Sequence, residues 1–359
     1  MSTHSRYVAA PADMSWSLVS PQQTAFRWEY DDGRAELLAL YDKGKRQQWD
    51  AGRRIDWSQQ LDAENPMLLP DETISLHGSP LWNKLSPQQI VEYRRRSQAW
   101  QISQFLHGEQ GALICTAKIV QQVEKLDAKF YAATQVIDEA RHVEAYSRLL
   151  HEKFNLVFPI NAQLQGLLAD VIEHREWDFT YLGMQVVIEG LALASFQSIR
   201  DKAGNSLAAQ VNAYVMQDEA RHVAFGRLAL RDYYPQLTEA ERDRREEFLV
   251  EACYLMRDRL DPSDVWAAMG FDLKECRRIH EEALATHKFR SRLFSRIVPT
   301  VRDIGLLGER VRKAFEDLGA IRYADRDSAT MLEEDNRVAE EFDAQRLVET
   351  ALAEGAAPP

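Results

Sequence analysis

A five-residue segment that occurs twice constrains this chain more than any other feature of its sequence. Asp-Glu-Ala-Arg-His occupies residues 138–142 and again residues 218–222. Glu109 and Glu189 each precede one copy, and they do so at the same spacing. An upstream Glu, a spacer of equal length and the same pentapeptide therefore occur twice, which indicates two copies of one structural unit. We predict a pair of helices joined by a turn in each half.

The central part of the chain is rich in helix-forming residues and poor in helix breakers. Residues that end helices are few, because the whole sequence contains only 16 Gly and 12 Pro. Patterns typical of β-strands are weak. Apolar positions that recur with the helical period predict an all-α protein. We expect helices at residues 86–126, 128–154, 161–200, 207–233, 239–260, 272–292 and 298–318. The helix over residues 161–200 is expected in one or two pieces.

The spacing within each repeat brings metal-binding side chains together. Glu and His that are three residues apart, such as Glu139 and His142, lie on one face of a helix. When the two helix pairs meet, four carboxylates and two imidazoles face the bundle centre, as in ferritin-like proteins that bind two iron or manganese ions. We therefore predict a ferritin-like four-helix bundle with additional helices. The six predicted metal ligands are Glu109, Glu139, His142, Glu189, Glu219 and His222.

The residue types of this set favour iron. Four carboxylates balance the charge of two divalent ions, and imidazole suits iron while it leaves coordination positions for dioxygen. The set contains no thiolate, which argues against zinc and iron–sulfur sites, whereas manganese or a mixed Mn/Fe pair stays open. The alternative is a solvated, charged helix face. It is disfavoured because Glu109 and Glu189 lie in apolar segments, where an unpaired carboxylate is costly.

Charged residues inside each repeat are predicted to support the ligands. Asp138 and Asp218 can accept a hydrogen bond from a ligand imidazole, either within one helix or across to the other half. Arg141 and Arg221 can pair with these aspartates, so that buried charges are matched.

Residues near the predicted ligands are candidates for a redox group and a pocket. Tyr146 lies one turn after the first repeat, where it is either a core tyrosine or a redox-active or proton-donating group. An apolar pocket beside the metals is predicted, with core packing as the alternative for each residue. Its candidates are Leu113, Thr116, Leu193 and Phe196.

The two ends of the chain differ from its central part. We predict an extended N-terminal arm over residues 1–85, with one helix near residues 35–51, packed on the bundle. Residues 86–320 form the helical domain. Residues 321–359 are acidic, and we expect a mobile tail there.

Composition limits the partners and the location of the protein. A net charge of −12 argues against nucleic-acid binding, which requires a positive face. Three cysteines without CxxC spacing point to the reducing cytoplasm. The apolar stretch at residues 179–199 carries Glu189 near its middle. A central carboxylate is costly in lipid, so we predict a buried helix and not a membrane span.

The repeated motif resembles the di-iron site of bacterial multicomponent monooxygenases, the methane and toluene/phenol hydroxylases. The similarity includes residues 105–109 and 131–142, extends upstream to residues 40–49 and 54–57, and covers roughly residues 36–232. The resemblance implies that the six predicted ligands hold two iron ions that activate dioxygen.

Three departures from related proteins qualify this resemblance. Leu193 occupies a position where the methane hydroxylase carries a threonine, so no hydroxyl relay is implied there. The ribonucleotide reductase small subunit, a more distant relative, carries its radical tyrosine at the position of Tyr146, but its first ligand is usually Asp where this chain has Glu109. Di-iron arylamine N-oxygenases carry an additional His one turn before the last Glu. Val215 stands there, which argues against that specific reaction.

These observations together predict a non-haem di-iron oxygenase that uses dioxygen to hydroxylate or N-oxygenate a small organic substrate. An external reductase or ferredoxin would supply electrons, because the sequence carries no flavin or iron–sulfur motif. By analogy with the class, we expect a homodimer formed through the N-terminal arm. The alternatives are a radical-generating subunit and an iron-oxidising ferritin-like protein, neither of which has a small organic substrate.

Overall fold

The chain folds into helices joined by short loops. The computed structural model describes residues 6–8, 16–20, 24–26 and 33–353. Its helices are α1 (Ala35–Arg46), α2 (Ala51–Arg54), α3 (Pro87–Gln122), α4 (Leu126–Arg148), α5 (Ala162–Glu173), α6 (Trp177–Tyr181), α7 (Glu189–Lys202), α8 (Ser206–Tyr233), α9 (Glu239–Asp258), α10 (Ser263–Ala268), α11 (Leu273–Glu282), α12 (Leu284–Leu293), α13 (Ile297–Asp303), α14 (Glu309–Asp317) and α15 (Ser328–Ala353). No β-strand occurs within the described ranges, and the predicted all-α class is confirmed.

Four of these helices form the bundle that carries the repeats. α3 packs along α4, and α7 packs along α8, so each half forms the predicted helix pair. The first helix of each pair carries Glu109 or Glu189, and the second carries the repeated pentapeptide. The prediction of a ferritin-like bundle with additional helices is confirmed.

Local sequence determines where the long helices begin. At the start of α3, the Ser86 hydroxyl and the Gln89 side chain form a reciprocal capping box, and Pro87 occupies the first turn. At the start of α8, the Asn205 side chain accepts a hydrogen bond from the backbone N–H of Ala208. These caps satisfy backbone donors that a helix leaves unpaired at its N-terminus.

A π-helical segment directly precedes Glu189. Leu182–Ile188 joins α6 to α7, and together they form one apolar helix over Trp177–Lys202. This helix is long enough to cross a membrane, but 94% of its most apolar window is buried inside the protein, which agrees with the predicted core helix. Because a π-turn contains more residues than an α-turn, the segment changes the helix face on which Glu189 lies.

The predicted ligands occupy a polar layer between two apolar clusters. Along α3, Glu109 lies between Phe105 of one cluster and Ala112 of the other. Along α8, the pentapeptide lies between Met216 and Phe225, which again belong to different clusters. The hydrophobic burial that stabilises the bundle therefore continues on both sides of the polar layer.

The N-terminal segment lies against the bundle. α1 packs on α4 and α8, and α2 contacts α4. The single helix that we predicted near residues 35–51 is thus two helices, because the chain turns at Asp50, whose side chain accepts from the N–H of Gly52 to cap α2.

We predicted a mobile tail for residues 321–359, of which 354–359 lie outside the described residues, and the described part, residues 321–353, consists largely of helix. α15 packs along α8 over much of this range. Asp335 is 1% exposed and accepts a hydrogen bond from Arg296 at 2.9 Å, and Ala339 is fully buried. The buried ion pair and the apolar contact hold the helix, and acidic composition alone did not reveal either of them.

We expect Gly183→Ala to destabilise the protein and Gly166→Ala to stabilise it. A Cβ atom at Gly183 would lie 2.3 Å from Cγ2 of Val171 and 3.1 Å from Cζ of Phe248, and such overpacking costs about 1–3 kcal/mol. At Gly166, inside α5, a Cβ atom would meet no described atom within 4 Å, so Ala gains about 0.5–1 kcal/mol of helix stability. Chemical denaturation measures both effects; changes of the same sign would contradict this packing.

Candidate metal centre

The six predicted ligands converge at the centre of the bundle, and each is at most 4% exposed. Their ligand atoms form two groups, and the atoms of each group lie within 4.8 Å of one another. The groups are Glu109, Glu139, His142 and Glu219, and Glu139, Glu189 and His222. The structure therefore brings together every residue of the predicted set, and Glu139 belongs to both groups.

Both histidines direct the same ring nitrogen at the carboxylates. The Nδ1 atom of His142 lies 3.0 Å from Oε1 of Glu219 and 3.2 Å from Oε2 of Glu109. The Nδ1 atom of His222 lies 3.1 Å from Oε1 of Glu139. Glu139 also approaches His142 at 3.4 Å, and Glu219 approaches His222 at 3.5 Å. These two carboxylates lie between the histidines, where they can bridge two ions.

The centre contains buried polar atoms that no protein group satisfies. Within the described part of the chain, Oε2 of Glu189 and Oε2 of Glu219 have neither a hydrogen bond nor an ion-pair contact, and Oε1 of Glu219 and Nδ1 of His222 face each other at 3.5 Å without a hydrogen bond. Buried polar atoms are normally paired, and an unpaired one costs about 1–3 kcal/mol. Oxygen and imidazole donors in this number fit two divalent ions of the iron or manganese type.

Burial and mutual repulsion make the carboxyls unequal. Burial, followed by the charge of Glu219, raises the pKa of Glu109 well above its usual range, and the same two causes raise the pKa of Glu189. Burial also opposes ionisation of Glu139, but the two neighbouring imidazoles outweigh it and lower the pKa of that carboxyl. Without a metal, the site therefore holds protons on some of its carboxyls.

The imidazoles are charged in the absence of a metal. Burial opposes protonation of His142, but its hydrogen bonds to Asp218 and Glu109 raise its pKa well above the usual range. At His222, burial again opposes protonation, and the charges of Glu139 and then of Glu219 outweigh it and raise the pKa. The metal-free centre is thus a network of protonated imidazoles and carboxyl groups.

Each histidine is oriented by an aspartate from the other half of the repeat. The Nε2 atom of His142 lies 3.1 Å from Oδ2 of Asp218, and Nε2 of His222 lies 3.2 Å from Oδ2 of Asp138. Sequence spacing left two arrangements open, and the structure has the crossed one. With Nε2 donating to the aspartate, Nδ1 is the nitrogen that is free to bind a metal.

Two arginines neutralise these aspartates. Arg141 Nη2 donates to Asp138 at 2.5 Å and to Asp218 at 2.8 Å, and Arg221 pairs with both aspartates as well. Burial opposes ionisation of Asp218, but Arg221 and the hydrogen bond from His142 outweigh it and hold its pKa well below the usual range. Two positive and two negative side chains are therefore buried together, as predicted.

The segment that follows α1 also reaches this network, which we did not predict. Gln48 donates from Nε2 to Asp138 at 2.7 Å and accepts from Arg141 at 2.6 Å. The indole N–H of Trp49 donates to Asp218 at 2.7 Å. The sequence signal was the similarity over residues 40–49, which marked the segment but gave no role to these side chains.

Gln135 is a further residue that sequence reasoning missed. Its Nε2 atom donates to Glu139 at 3.0 Å and to Glu189 at 2.8 Å. It lies one turn before Glu139 on the same face of α4, and that spacing is the signal that could have identified it. By holding one oxygen of each carboxylate, Gln135 leaves the other oxygen of each directed into the centre.

A small cavity, which we call the inner cavity, borders three of the ligands. Its volume is about 20 Å³, space for about one water molecule. It is lined by Gln104, Phe105, Gly108, Glu109, Ala112, Ile188, Glu189, Ala192, Phe196, Glu219 and Arg259. The small side chains at Gly108 and Ala192 leave this space open.

Of the four residues that we predicted to line an apolar pocket, Phe196 lines the inner cavity, whereas Leu113, Thr116 and Leu193 are not among its lining residues. Along α3, the inner cavity is lined by residues from Gln104 to Ala112, and Leu113 and Thr116 lie beyond this stretch. Leu193 belongs instead to an apolar cluster.

Tyr146 is fully buried beside the inner cavity. Its hydroxyl donates to Oδ1 of Asn212 at 3.2 Å, and its ring centroid lies 5.8 Å from that of Phe105 and 5.7 Å from that of Phe196. Burial, followed by the charge of Glu109, raises its pKa well above the usual range, so it stays a neutral phenol. The choice between a core role and a redox role for Tyr146 stays a prediction.

We expect metal binding to release protons and to weaken as the pH falls. The raised pKa values of Glu109, Glu189, His142 and His222 mean that the metal-free site holds protons that a metal must displace. Titration of Mn²⁺ or anaerobic Fe²⁺ into weakly buffered protein with a pH indicator measures the release. Binding that releases no proton and is equally tight at pH 6 and pH 8 would contradict this view of the site.

Comparison with known proteins gives one family. The family model described as p-aminobenzoate N-oxygenase AurF matches residues 31–305, which is well over half of the chain and includes all six predicted ligands. No curated protein matches the chain.

Proposed function

We propose, from the premise that the chain belongs to the AurF family of p-aminobenzoate N-oxygenases, that it oxygenates the amino nitrogen of a small aromatic amine. Membership of this di-iron family confirms the prediction of an oxygenase that uses dioxygen on a small organic substrate. The proposal concerns the finer points, which are the nitrogen as the site of reaction, the ligand set, the metal and the electron donor.

One observation carries the ligand assignment. Six buried side chains from four helices meet at one point, and Oε2 of Glu189 and Oε2 of Glu219 have no partner among the described residues. We infer that Glu109, Glu139, His142, Glu189, Glu219 and His222 hold two iron ions. When bound, such a pair supplies both electrons for dioxygen reduction and a template for the reacting groups.

The side chains around the ligands perform the remaining tasks. Asp138 and Asp218 keep the imidazoles oriented, and the arginine pair forms ion pairs with these aspartates. The apolar walls of the inner cavity, which include Phe105 and Phe196, exclude bulk water from the reacting atoms. Gln135 holds Glu139 and Glu189 in place while their free oxygens bind metal.

The proposed reaction balances as follows. One dioxygen, two electrons and two protons convert the amine to a hydroxylamine and water: the O–O bond breaks, one oxygen inserts into an N–H bond, and the other leaves as water. An external reductase or ferredoxin supplies the electrons.

We further propose a cytoplasmic homodimer formed through the N-terminal segment, in accord with the expectations from the sequence.

Val215 argued against N-oxygenation in the sequence, and membership of the AurF family outweighs that argument. The arylamine N-oxygenases carry an additional His at this position, and Val215 is fully buried in an apolar cluster. We propose that this chain performs N-oxygenation with six protein ligands, which leaves one more coordination position for dioxygen or substrate.

We expect Glu139→Gln to abolish N-oxygenation and Glu144→Gln to leave it unchanged. Glu139 lies in both ligand groups, so its loss would weaken the binding of both ions, and product formation should fall by about 100-fold or more. Glu144 is an exposed residue of the same helix and serves as the matched control. The assay supplies the iron-loaded protein with a chemical reductant, oxygen and p-aminobenzoate, and detects hydroxylamino, nitroso and nitro products.

The same assay tests the alternative of a radical-generating subunit. A radical role requires the phenol of Tyr146, whereas N-oxygenation by the metal centre does not. Turnover that persists in Tyr146→Phe supports the proposal. Equal products from the wild-type protein and Glu139→Gln, or a stable tyrosyl radical without any organic product, would contradict it.

A further inference from the structure

Arg259 is a buried cation at the edge of the metal centre that the ligand network does not use. It lines the inner cavity and is 3% exposed. Its Nη1 atom contacts Sδ of Met256 at 3.6 Å, and its Nε atom has no hydrogen-bond partner among the described residues. Burial lowers the pKa of this guanidinium to about 10, so it is still cationic at neutral pH.

A structural role explains Arg259 poorly. It stands at the C-terminal cap of α9, where the helix dipole favours a positive charge. The free-energy penalty for burying an unpaired ion is larger than that gain. Within the described part of the chain, no carboxylate forms an ion pair with Arg259 to offset that penalty. An anionic ligand bound beside Arg259 would offset the penalty for burying its charge.

A larger cavity, which we call the outer cavity, is lined by residues that lie about one helical turn from those of the inner cavity. Its volume is about 550 Å³, within the range of ligand-binding pockets. Trp100 on α3, Ile199 on α7 and Leu260, which follows Arg259, are among its lining residues. The inner cavity is lined by residues one turn away on the same two helices and by Arg259 itself. The two cavities therefore lie end to end between α3 and α7.

The lining of the outer cavity is positively charged, although the chain as a whole has a net charge of −12. Glu72 is its acidic lining residue, against Lys202, Lys288, Arg290 and Arg292. Two of these cations are partly neutralised, because Arg290 pairs with a glutamate and Arg292 lies 3.6 Å from an aspartate. The excess of positive charge attracts anions into a cavity with apolar walls.

We infer that Arg259 binds a carboxylate of the organic substrate and that the outer cavity is the route by which this anion arrives. A guanidinium and a carboxylate form paired, charge-assisted hydrogen bonds, which would satisfy the unpartnered atoms of Arg259. The inference rests on the proposed function. It makes Arg259 a specificity-determining residue, which holds one end of an aromatic acid so that the amino group at the other end faces the ligands.

Substrate binding then requires a local movement. The inner cavity holds about one water molecule, which is too little for an aromatic ring. Phe105 and Phe196 contact each other in a T-shaped arrangement, with their centroids 4.7 Å apart, and both line the inner cavity. These two rings must turn aside for the substrate to extend from Arg259 to the metal centre.

The first test compares the binding of a charged and a neutral ligand. The iron-loaded protein is titrated without oxygen with p-aminobenzoate and with its neutral analogue p-aminobenzamide. We expect the wild-type protein to prefer the acid by about 10- to 100-fold, and Arg259→Gln to lose that preference while it binds the amide as before. Arg257→Gln, which removes a more exposed arginine near the same helix end, is the matched control and should keep the preference.

A second measurement separates substrate binding from a purely structural role. If Arg259 is an unpaired charge retained for a ligand, Arg259→Met should raise the melting temperature of the ligand-free protein, whereas loss of a structural arginine would lower it. The inference is overturned if the wild-type protein shows no preference for the acid, if Arg259→Gln keeps the preference, or if Arg259→Met lowers the melting temperature.

The outcome for Arg259 is distinguishable from that for the proposed function. Oxygen consumption by the reduced, iron-loaded protein in the absence of any aromatic ligand depends on the metal centre alone. If the wild-type protein and Arg257→Gln consume oxygen and prefer the acid, whereas Arg259→Gln has lost the preference, both proposals are supported. If the wild-type protein consumes oxygen and has no such preference, only the role of Arg259 fails.

Discussion

Four carboxylates buried in one small volume repel one another, and much of the structure is arranged around that repulsion. The pKa values of Glu109 and Glu189 are raised, and so are those of the two imidazoles, so that both kinds of group hold protons when no metal is bound. The arginine pair neutralises the aspartates behind the histidines and not the glutamates. In the metal-free site, protons balance the carboxylates; two divalent ions could displace these protons and bind the unpartnered oxygens.

The crossed contacts between the two halves hold this arrangement together. Each aspartate orients the histidine of the opposite repeat, so neither half can position its ligands alone. The halves are nevertheless unequal around the centre. Tyr146 follows the first repeat, whereas the corresponding position of the second is Gly226, where a Cβ atom would lie 2.5 Å from Cβ of Gln185. A tyrosine cannot fit there, and the inner cavity accordingly opens on the side where α3 and α7 meet.

Features that depend on helix periodicity could be predicted from the sequence, and features that depend on distant packing could not. The duplicated pentapeptide and its upstream glutamates identified the six side chains that meet, because residues at fixed spacing on amphipathic helices must share a face. Trp49 and Arg259 reach the centre from distant parts of the chain, and no local pattern marks such contacts. Of the predicted pocket residues only Phe196 lines the inner cavity, because periodicity gives the face of a helix and not the extent of the free space beside it.

The most direct test of a di-iron centre is a crystal structure of the anaerobically iron-loaded protein, with anomalous scattering measured at the iron edge. The account predicts two anomalous peaks in each chain, one near Glu109 and His142 and the other near Glu189 and His222, with Glu139 between them. A single peak, or peaks that lie away from these side chains while the carboxylates stay unbound, would contradict it.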